Sequence, residues 1–148
     1  MLRLSNFADY GVVIMTAAAR ARDLAGGDLV AASQVSGATG IPVPTVAKLM
    51  NHLARAGLLV SHRGVSGGFA LSRSAAAISL ADIVEAIDGP IALTHCCAED
   101  AARCELHSRC AVRPHWDPVN RAVHEALSGV SLATLARAPE EALQEMPA

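Results

Sequence analysis

The side chains that could do chemistry are concentrated in fifteen residues of this chain, which hold Cys96, Cys97, Cys104 and Cys110, all the cysteines it has. The run reads His95-Cys-Cys-x6-Cys-x5-Cys. Thiolates are anionic and polarisable, so a loop carrying several suits a soft metal or an iron–sulfur cluster. Two three-cysteine sets can be drawn, with either Cys97 or Cys96 joining Cys104 and Cys110. Neither has the Cys-x2-Cys bite of a zinc knuckle. Wide, loop-like spacing favours a cluster over a single zinc ion. A cluster has more positions than three cysteines supply, and Cys96, His95, His107, His115 or a carboxylate could complete the set. Plainer readings stand beside this one. A cysteine beside another is often a small packed hydrophobe, and a lone histidine is often a surface or capping residue. Without metal, the same group would be a thiol redox switch.

The composition limits what can position such a loop. With 148 residues, the chain is expected to form one domain with an appended helix. Its aromatics are Phe7, Tyr10, Phe69 and Trp116, within a hydrophobic fraction of 52%. The core must therefore be built of Ala, Val, Leu and Ile, which favours closely packed helices. No apolar run approaches the ~20 residues that span a membrane. The opening Met-Leu-Arg-Leu-Ser-Asn lacks the marks of a secretory signal. A cytoplasmic location is expected, where thiols stay reduced. Clustered cysteines then read as ligands or sensors rather than disulfides. The net charge is −2, but residues 1–75 carry +4 and residues 76–148 carry −6. Attraction for phosphate belongs to the first half only. An unevenly charged solvated surface is the bland alternative.

The elements follow from periodicity and punctuation. Residues 5–25 predict a helix that Ser5 or Asn6 can cap, ended by Gly26-Gly27. A short helix over 31–38 is closed by Gly40, and Ile41-Pro42-Val43-Pro44 makes a tight turn. Pro44 suits the first turn of a helix over 44–55. There Val46, Leu49, Met50 and Leu53 form one apolar face. Gly57 stops it. Leu58-Leu59-Val60 and Phe69-Ala70-Leu71 read as a hairpin with a flexible tip from Gly64 to Gly68. Ser79 and Asp82 make a capping-box pattern before a helix carrying Leu80, Ile83, Val84 and Ile87. Asp88-Gly89-Pro90 breaks it, and the cysteine loop occupies residues 91–113. Pro114 opens a helix with Trp116, Val119, Val123 and Leu127 on one stripe. Ser131 can cap a last short helix ending near Ala136. Residues 139–148 are expected to form a flexible acidic tail.

Helix, short helix, tight turn, helix and hairpin is the order of a winged helix-turn-helix. The fold class expected is mainly α with a small β-hairpin wing. In such a module the second helix of the turn lies in the DNA major groove. Pro44, Thr45, Lys48, Asn51 and Arg55 are the candidate groove residues. Thr45 could touch a base edge or phosphate, and Lys48 a phosphate or guanine. In the wing, His62, Arg63 and Ser66 are the candidates, with Arg63 able to enter a minor groove or hold a phosphate. A small helical domain that never touches DNA is the alternative.

Taken together, these residues resemble the iron–sulfur-dependent winged-helix repressors. That family includes regulators of the Isc and Suf cluster-assembly operons and the nitric-oxide-sensing repressor. The resemblance runs from Met1 to about Ala136. It rests on Leu2-Arg-Leu-Ser-Asn-Phe-Ala-Asp-Tyr-Gly11, Ile41-Pro-Val-Pro-Thr-Val-Ala-Lys-Leu49, the wing Arg63-Gly-Val-Ser-Gly-Gly-Phe69, the helix Ser79-Leu-Ala-Asp-Ile-Val-Glu-Ala-Ile87 and the cysteine loop. The run Cys110-Ala-Val-Arg-Pro-His-Trp116 is most similar to the Suf-operon branch.

The resemblance implies three regions. Residues 1–75 would be the DNA-binding part, 76–113 a helix and the cluster loop, and 114–138 a long dimerisation helix with a short terminal one. It implies a homodimer on a pseudo-palindromic double-stranded operator, and a [2Fe–2S] or [4Fe–4S] cluster held by Cys97 (or Cys96), Cys104 and Cys110. In the nitric-oxide sensor the fourth ligand is an aspartate from the partner's first helix, and Asp9 matches that position. In the Isc regulator it is a histidine three residues past the last cysteine, which is Arg113 here and cannot serve. Asp9 could equally be a helix first-turn acid.

The expected function is a regulator, chiefly a repressor, of cluster-assembly genes that senses cluster, iron or redox status. The alternatives are a metal-free thiol sensor, a nitric-oxide sensor and a cluster carrier. No membrane or small-molecule substrate is expected. No phosphate loop, nucleophile elbow or Ser/His/Asp grouping points to an enzyme.

Overall fold

The computed structural model describes residues 3–25, 28–97 and 108–137, so Cys104, His107 and the tail from residue 139 lie outside the described residues. Helix α1 spans Asn6–Ala25, α2 Ala32–Thr39 and α3 Val43–Arg55. Strands β1 (Leu59–His62) and β2 (Gly68–Leu71) form an antiparallel hairpin, followed by α4 (Leu80–Asp88). Then come α5 (Arg113–Ser128) and α6 (Leu132–Ala136). This is the winged-helix arrangement that the element order predicts. Among the described residues, no helix is long and apolar enough to cross a membrane.

Local chemistry sets the boundaries. Ser5 caps α1, its Oγ accepting the Ala8 N–H at 3.0 Å. The same hydroxyl donates to Asp88 Oδ1 at 2.6 Å and so pins the start of α1 to the end of α4. Pro44 falls in the first turn of α3, where a missing N–H breaks no intrahelical bond. That helix ends at Gly57, whose φ of 81° is left-handed. The Leu58 N–H returns to the Leu53 carbonyl and the Gly57 N–H to Ala54, both at 3.0 Å. This pattern satisfies the last carbonyls of the helix. Ser79 and Asp82 complete the expected capping box on α4. Asp82 N–H donates to Ser79 Oγ at 3.0 Å, and Ser79 N–H donates to Asp82 Oδ2 at 2.8 Å. Ser131 caps α6 by accepting the Thr134 N–H at 3.1 Å.

The apolar face of α3 packs inward, with Val46, Leu49, Met50 and Leu53 all buried. They meet Ile14 and Met15 of α1, Val35 of α2, Ile78, Ile83 of α4 and Leu132 of α6 in one core. No polar side chain is buried among the described residues. Leu132 is reached through a short extended pairing. Its N–H donates to the Ile78 carbonyl at 2.7 Å, and the Leu80 N–H donates to Val130 at 2.8 Å. Arg20 of α1 then holds the end of α6, donating to the carbonyls of Ala136 and Arg137 at 2.9 Å each.

The hairpin is longer than its apolar residues suggest. Leu59 pairs with Leu71 and His62 with Gly68, so His62 belongs to the strand and the tip begins at Arg63. A third chain segment joins this sheet. Val30 and Phe69 exchange two backbone hydrogen bonds of 2.9 Å. Gly68 permits that approach, because a Cβ there would stand 3.0 Å from the Val30 carbonyl oxygen.

Helix α5 has no fully buried residue. Trp116, Val123 and Leu127 are half-buried on one stripe, whereas Val119 is 45% exposed.

Candidate nucleic-acid interface and thiol site

Burying Val46, Leu49, Met50 and Leu53 turns the opposite face of α3 outward. Pro44, Lys48, Asn51 and Arg55 are all exposed on it, while Thr45 is half-buried. His62 is exposed at the end of β1, and Arg63 and Ser66 are exposed in the tip. Between α3 and the hairpin runs an open groove whose lining includes Asn51, Arg55, Ser61 and Arg63. Two cations and two hydrogen-bonding side chains therefore share one concave surface. Lys48 lies elsewhere on the same helix, its ammonium 5.7 Å over the Phe7 ring of α1. Asn51 Nδ2 donates to the Ala47 carbonyl at 2.9 Å within its own helix. His52 Nε2 lies 2.8 Å from the Ala86 carbonyl, so this nitrogen carries a proton and joins α3 to α4.

The wing is braced from behind. Arg73 Nη2 meets Asp82 Oδ2 at 3.1 Å, linking the segment that leaves the hairpin to the α4 cap. Burial pushes the Asp82 carboxyl up. Hydrogen bonds from the Ser79 backbone and hydroxyl and the Arg73 guanidinium outweigh that, and hold it below its ordinary value.

Cys96 and Cys97 lie on a short 3-10 turn, His95–Cys97. The Cys97 N–H donates to the Thr94 carbonyl at 3.0 Å. Thr94 Oγ1 is 3.0 Å from Cys96 Sγ and 3.5 Å from Cys97 Sγ. Cys97 Sγ in turn contacts Asp117 Oδ1 of α5 at 3.9 Å. Cys110 precedes α5, and its carbonyl accepts the Arg113 N–H at 3.4 Å. Cys96, Cys97 and Cys110 are half-buried free thiols. Their chemistry fits an iron–sulfur group, which needs accessible sulfurs able to ionise. Among the described residues, no three His, Cys, Asp or Glu converge as a metal site. Asp9 is exposed on the first turn of α1, and His115 is exposed on the first turn of α5.

Several positioning residues escape a reading of the sequence. Asn120 of α5 accepts the Leu93 N–H through Oδ1 and donates to the Ile91 carbonyl through Nδ2, both at 2.9 Å. It holds the start of the cysteine segment against the helix. His124 Nε2 lies 3.5 Å from Glu85 Oε1, tying α5 to α4. A signal for Asn120 existed. It falls four residues after Trp116 in an otherwise apolar stripe, and a polar side chain facing inward has a partner. Thr94 and Asp117 carry no such signal.

Residues 4–138 match the Rrf2 family, described as an iron-dependent transcriptional regulator. A protein of Azotobacter vinelandii named as an HTH-type transcriptional regulator, ORF2, is 34% identical over 106 residues, covering 72% of this chain. The match spans 63% of that relative's own length. Among solved structures, CymR (YrzC), the global cysteine regulator of B. subtilis, is 29% identical with a TM-score of 0.70. That alignment covers 92% of this chain and 97% of CymR. IscR from T. potens has a TM-score of 0.68 at 22% identity, over 99% of this chain and 93% of that one. At this identity the likeness is one of fold.

Proposed function

This chain belongs to the Rrf2 family of iron-dependent transcriptional regulators, and from that premise we propose that it is a DNA-binding repressor of iron–sulfur cluster-assembly genes, of the Suf type, governed by an iron–sulfur cluster on its cysteine segment. One observation carries the reading. The thiol site and the exposed cationic face of α3 are joined through a continuous set of contacts. Cys97 meets α5, α5 holds α4 through His124 and Glu85, and α4 holds α3 through Ala86 and His52.

Lys48, Arg55 and Arg63 supply phosphate attraction, with Pro44, Thr45, Asn51, His62 and Ser66 around them as contact residues. Two copies of the chain, paired along α5 through Trp116, Val119 and Val123, would set two α3 helices on a pseudo-palindromic operator. Cys97 (with Cys96 as its alternative), Cys104 and Cys110 would hold the cluster. The family resemblance offers Asp9, across the dimer, for a fourth position. When bound, the cluster supplies redox and nitric-oxide sensitivity and a bridge between segments. Tying residues 91–97 and 110 together would fix α5, and through it the spacing of the two α3 helices. A differential affinity of a few kcal/mol between loaded and empty protein suffices to switch operator occupancy.

The test is an anaerobic purification with iron and sulfide assays and operator binding, on the wild type and on a Cys97/Cys104/Cys110 triple alanine variant. Coloured wild type with iron and sulfide, both lost in the variant together with tight operator binding, supports the reading. Protein that stays colourless after attempted reconstitution sinks it. A second reading, a metal-free thiol regulator, draws on the adjacent Cys96 and Cys97 thiols, bridged by the Thr94 hydroxyl, and on the 29% identity to a cysteine regulator. It requires a redox-dependent disulfide and operator binding that ignores iron.

A further inference from the structure

Resting on the cluster reading above in its [2Fe–2S] form, where each iron takes two protein ligands, the geometry points to Asp117 as a ligand to the same iron as Cys97, so that α5 closes the ligand set within one chain. Helix α5 presents Asp117, Asn120 and His124 at i, i+3 and i+7, on one face. Asn120 and His124 grip Ile91, Leu93 and Glu85. The first of the three, one turn nearer the cysteines, reaches the Cys97 sulfur at 3.9 Å. The helix face that anchors the cysteine segment thus ends on a carboxylate directed at a thiol.

The separation suits a shared metal. With metal–sulfur and metal–oxygen bonds of about 2.3 and 2.0 Å at a tetrahedral centre, two ligand atoms lie roughly 3.5 Å apart. An adjustment of a few tenths of an ångström brings both atoms onto one iron. Among the described residues, no Lys, Arg or His pairs with Asp117, so its charge is available to a cation. The same geometry separates the two neighbouring cysteines. Both sulfurs lie near the Thr94 hydroxyl, at 3.0 Å for Cys96 and 3.5 Å for Cys97, but of the two it is Cys97 that also contacts α5. The family resemblance would bring the competing ligand, Asp9 on the first turn of α1, from a second chain.

The experiment uses the full chain, reconstituted anaerobically with ferrous iron and sulfide, as wild type, Asp117→Asn, Asp117→Cys and Asp9→Asn. The readouts are iron and sulfide per chain, visible and resonance Raman spectra, and the rate of iron loss to a chelator. Asp117→Asn is expected to shift the bands and lose iron about tenfold faster or more. Asp117→Cys is expected to retain iron with an all-thiolate spectrum, which a merely structural aspartate would not produce. Asp117→Asn with wild-type bands and wild-type iron loss overturns the assignment while the cluster reading stands. So does a spectral change confined to Asp9→Asn. A wild type that takes up no iron overturns both. Asp117 is exposed, so thermal melts of the empty variants should coincide with wild type. Were Asp117→Asn to misfold, Asp117→Cys decides alone.

Discussion

The Lys48 ammonium sits 5.7 Å above the Phe7 ring, joining the exposed face of α3 to the first turn of α1. Phe7 is itself 52% exposed, so the ring is a platform rather than a core residue. A cation–π contact at such a site contributes about 0.5–1 kcal/mol. Its value here is orientation, because it limits the arcs the lysine side chain can sweep. Lys48→Ala is expected to weaken operator binding about equally across operator variants, and to lower the salt slope by about one. Phe7→Leu should weaken binding severalfold, and the two changes together should cost less than their sum. Fluorescence titrations at several salt concentrations, set out as a double-mutant cycle, check this.

Two glycines should respond oppositely to alanine. A Cβ on Gly67 would stand 2.5 Å from the His62 carbonyl oxygen and 2.9 Å from that of Gly64. Gly67→Ala must therefore reshape the wing tip that carries Arg63 and Ser66. Reduced operator affinity with little change in melting temperature is expected. Gly37, inside α2, has nothing within 4 Å of its would-be Cβ. Gly37→Ala should stabilise the fold by about 0.5–1 kcal/mol, as helix propensity dictates. Urea unfolding and operator titration of both variants separate the two effects.

Asp82 links stability to acid. Its folded-state carboxyl lies below the ordinary value of 3.8, despite partial burial, because of Ser79 and Arg73. A depressed carboxyl stabilises the fold above its unfolded value, and that contribution fades as pH falls below 3.8 through the folded value. Asp82→Asn should therefore lose stability at neutral pH and show a shallower decline on acidification. Ser79→Ala, which removes the cap acceptor, should cost about 1 kcal/mol. Stability measured by denaturant from pH 7 downward tests both, and parallel acid limbs for wild type and Asp82→Asn would refute the linkage.

Leu132 is fully buried although it belongs to a helix of five residues near the end of the described chain. Leu132→Ala should cost about 2–5 kcal/mol, the range for deleting a leucine from a packed core. A loss within the range of surface changes, ±0.5 kcal/mol, would mean that α6 does not dock in solution.

Much of the winged-helix half was legible from local rules. Spacing places Val46, Leu49, Met50 and Leu53 together, and burying them leaves Lys48, Asn51 and Arg55 outward. Ser5, Ser79 with Asp82, and Ser131 cap helices where their positions suggested. The thiol site was legible only as an inventory of ligands. Nothing in the spacing of Cys96 and Cys97 says which sulfur faces α5, because a 3-10 turn and an adjacent helix must both be placed first. Asn120 illustrates the same limit, since its partners lie 27 and 29 residues earlier.

What the sequence by itself determined, then, is the kind of element each segment forms and the chemistry it carries. Caps, proline and glycine positions and apolar periodicity act within a few residues, and the backbone answers to them locally. The tertiary structure alone decided which elements meet. It set Val30 against Phe69, Ser5 against Asp88, Leu132 in the core and Cys97 beside Asp117. Such pairings arise because the core must close around Ala, Val, Leu and Ile side chains of particular volumes. Packing at that density fixes the distances between side chains that stand 20 to 83 residues apart in the chain.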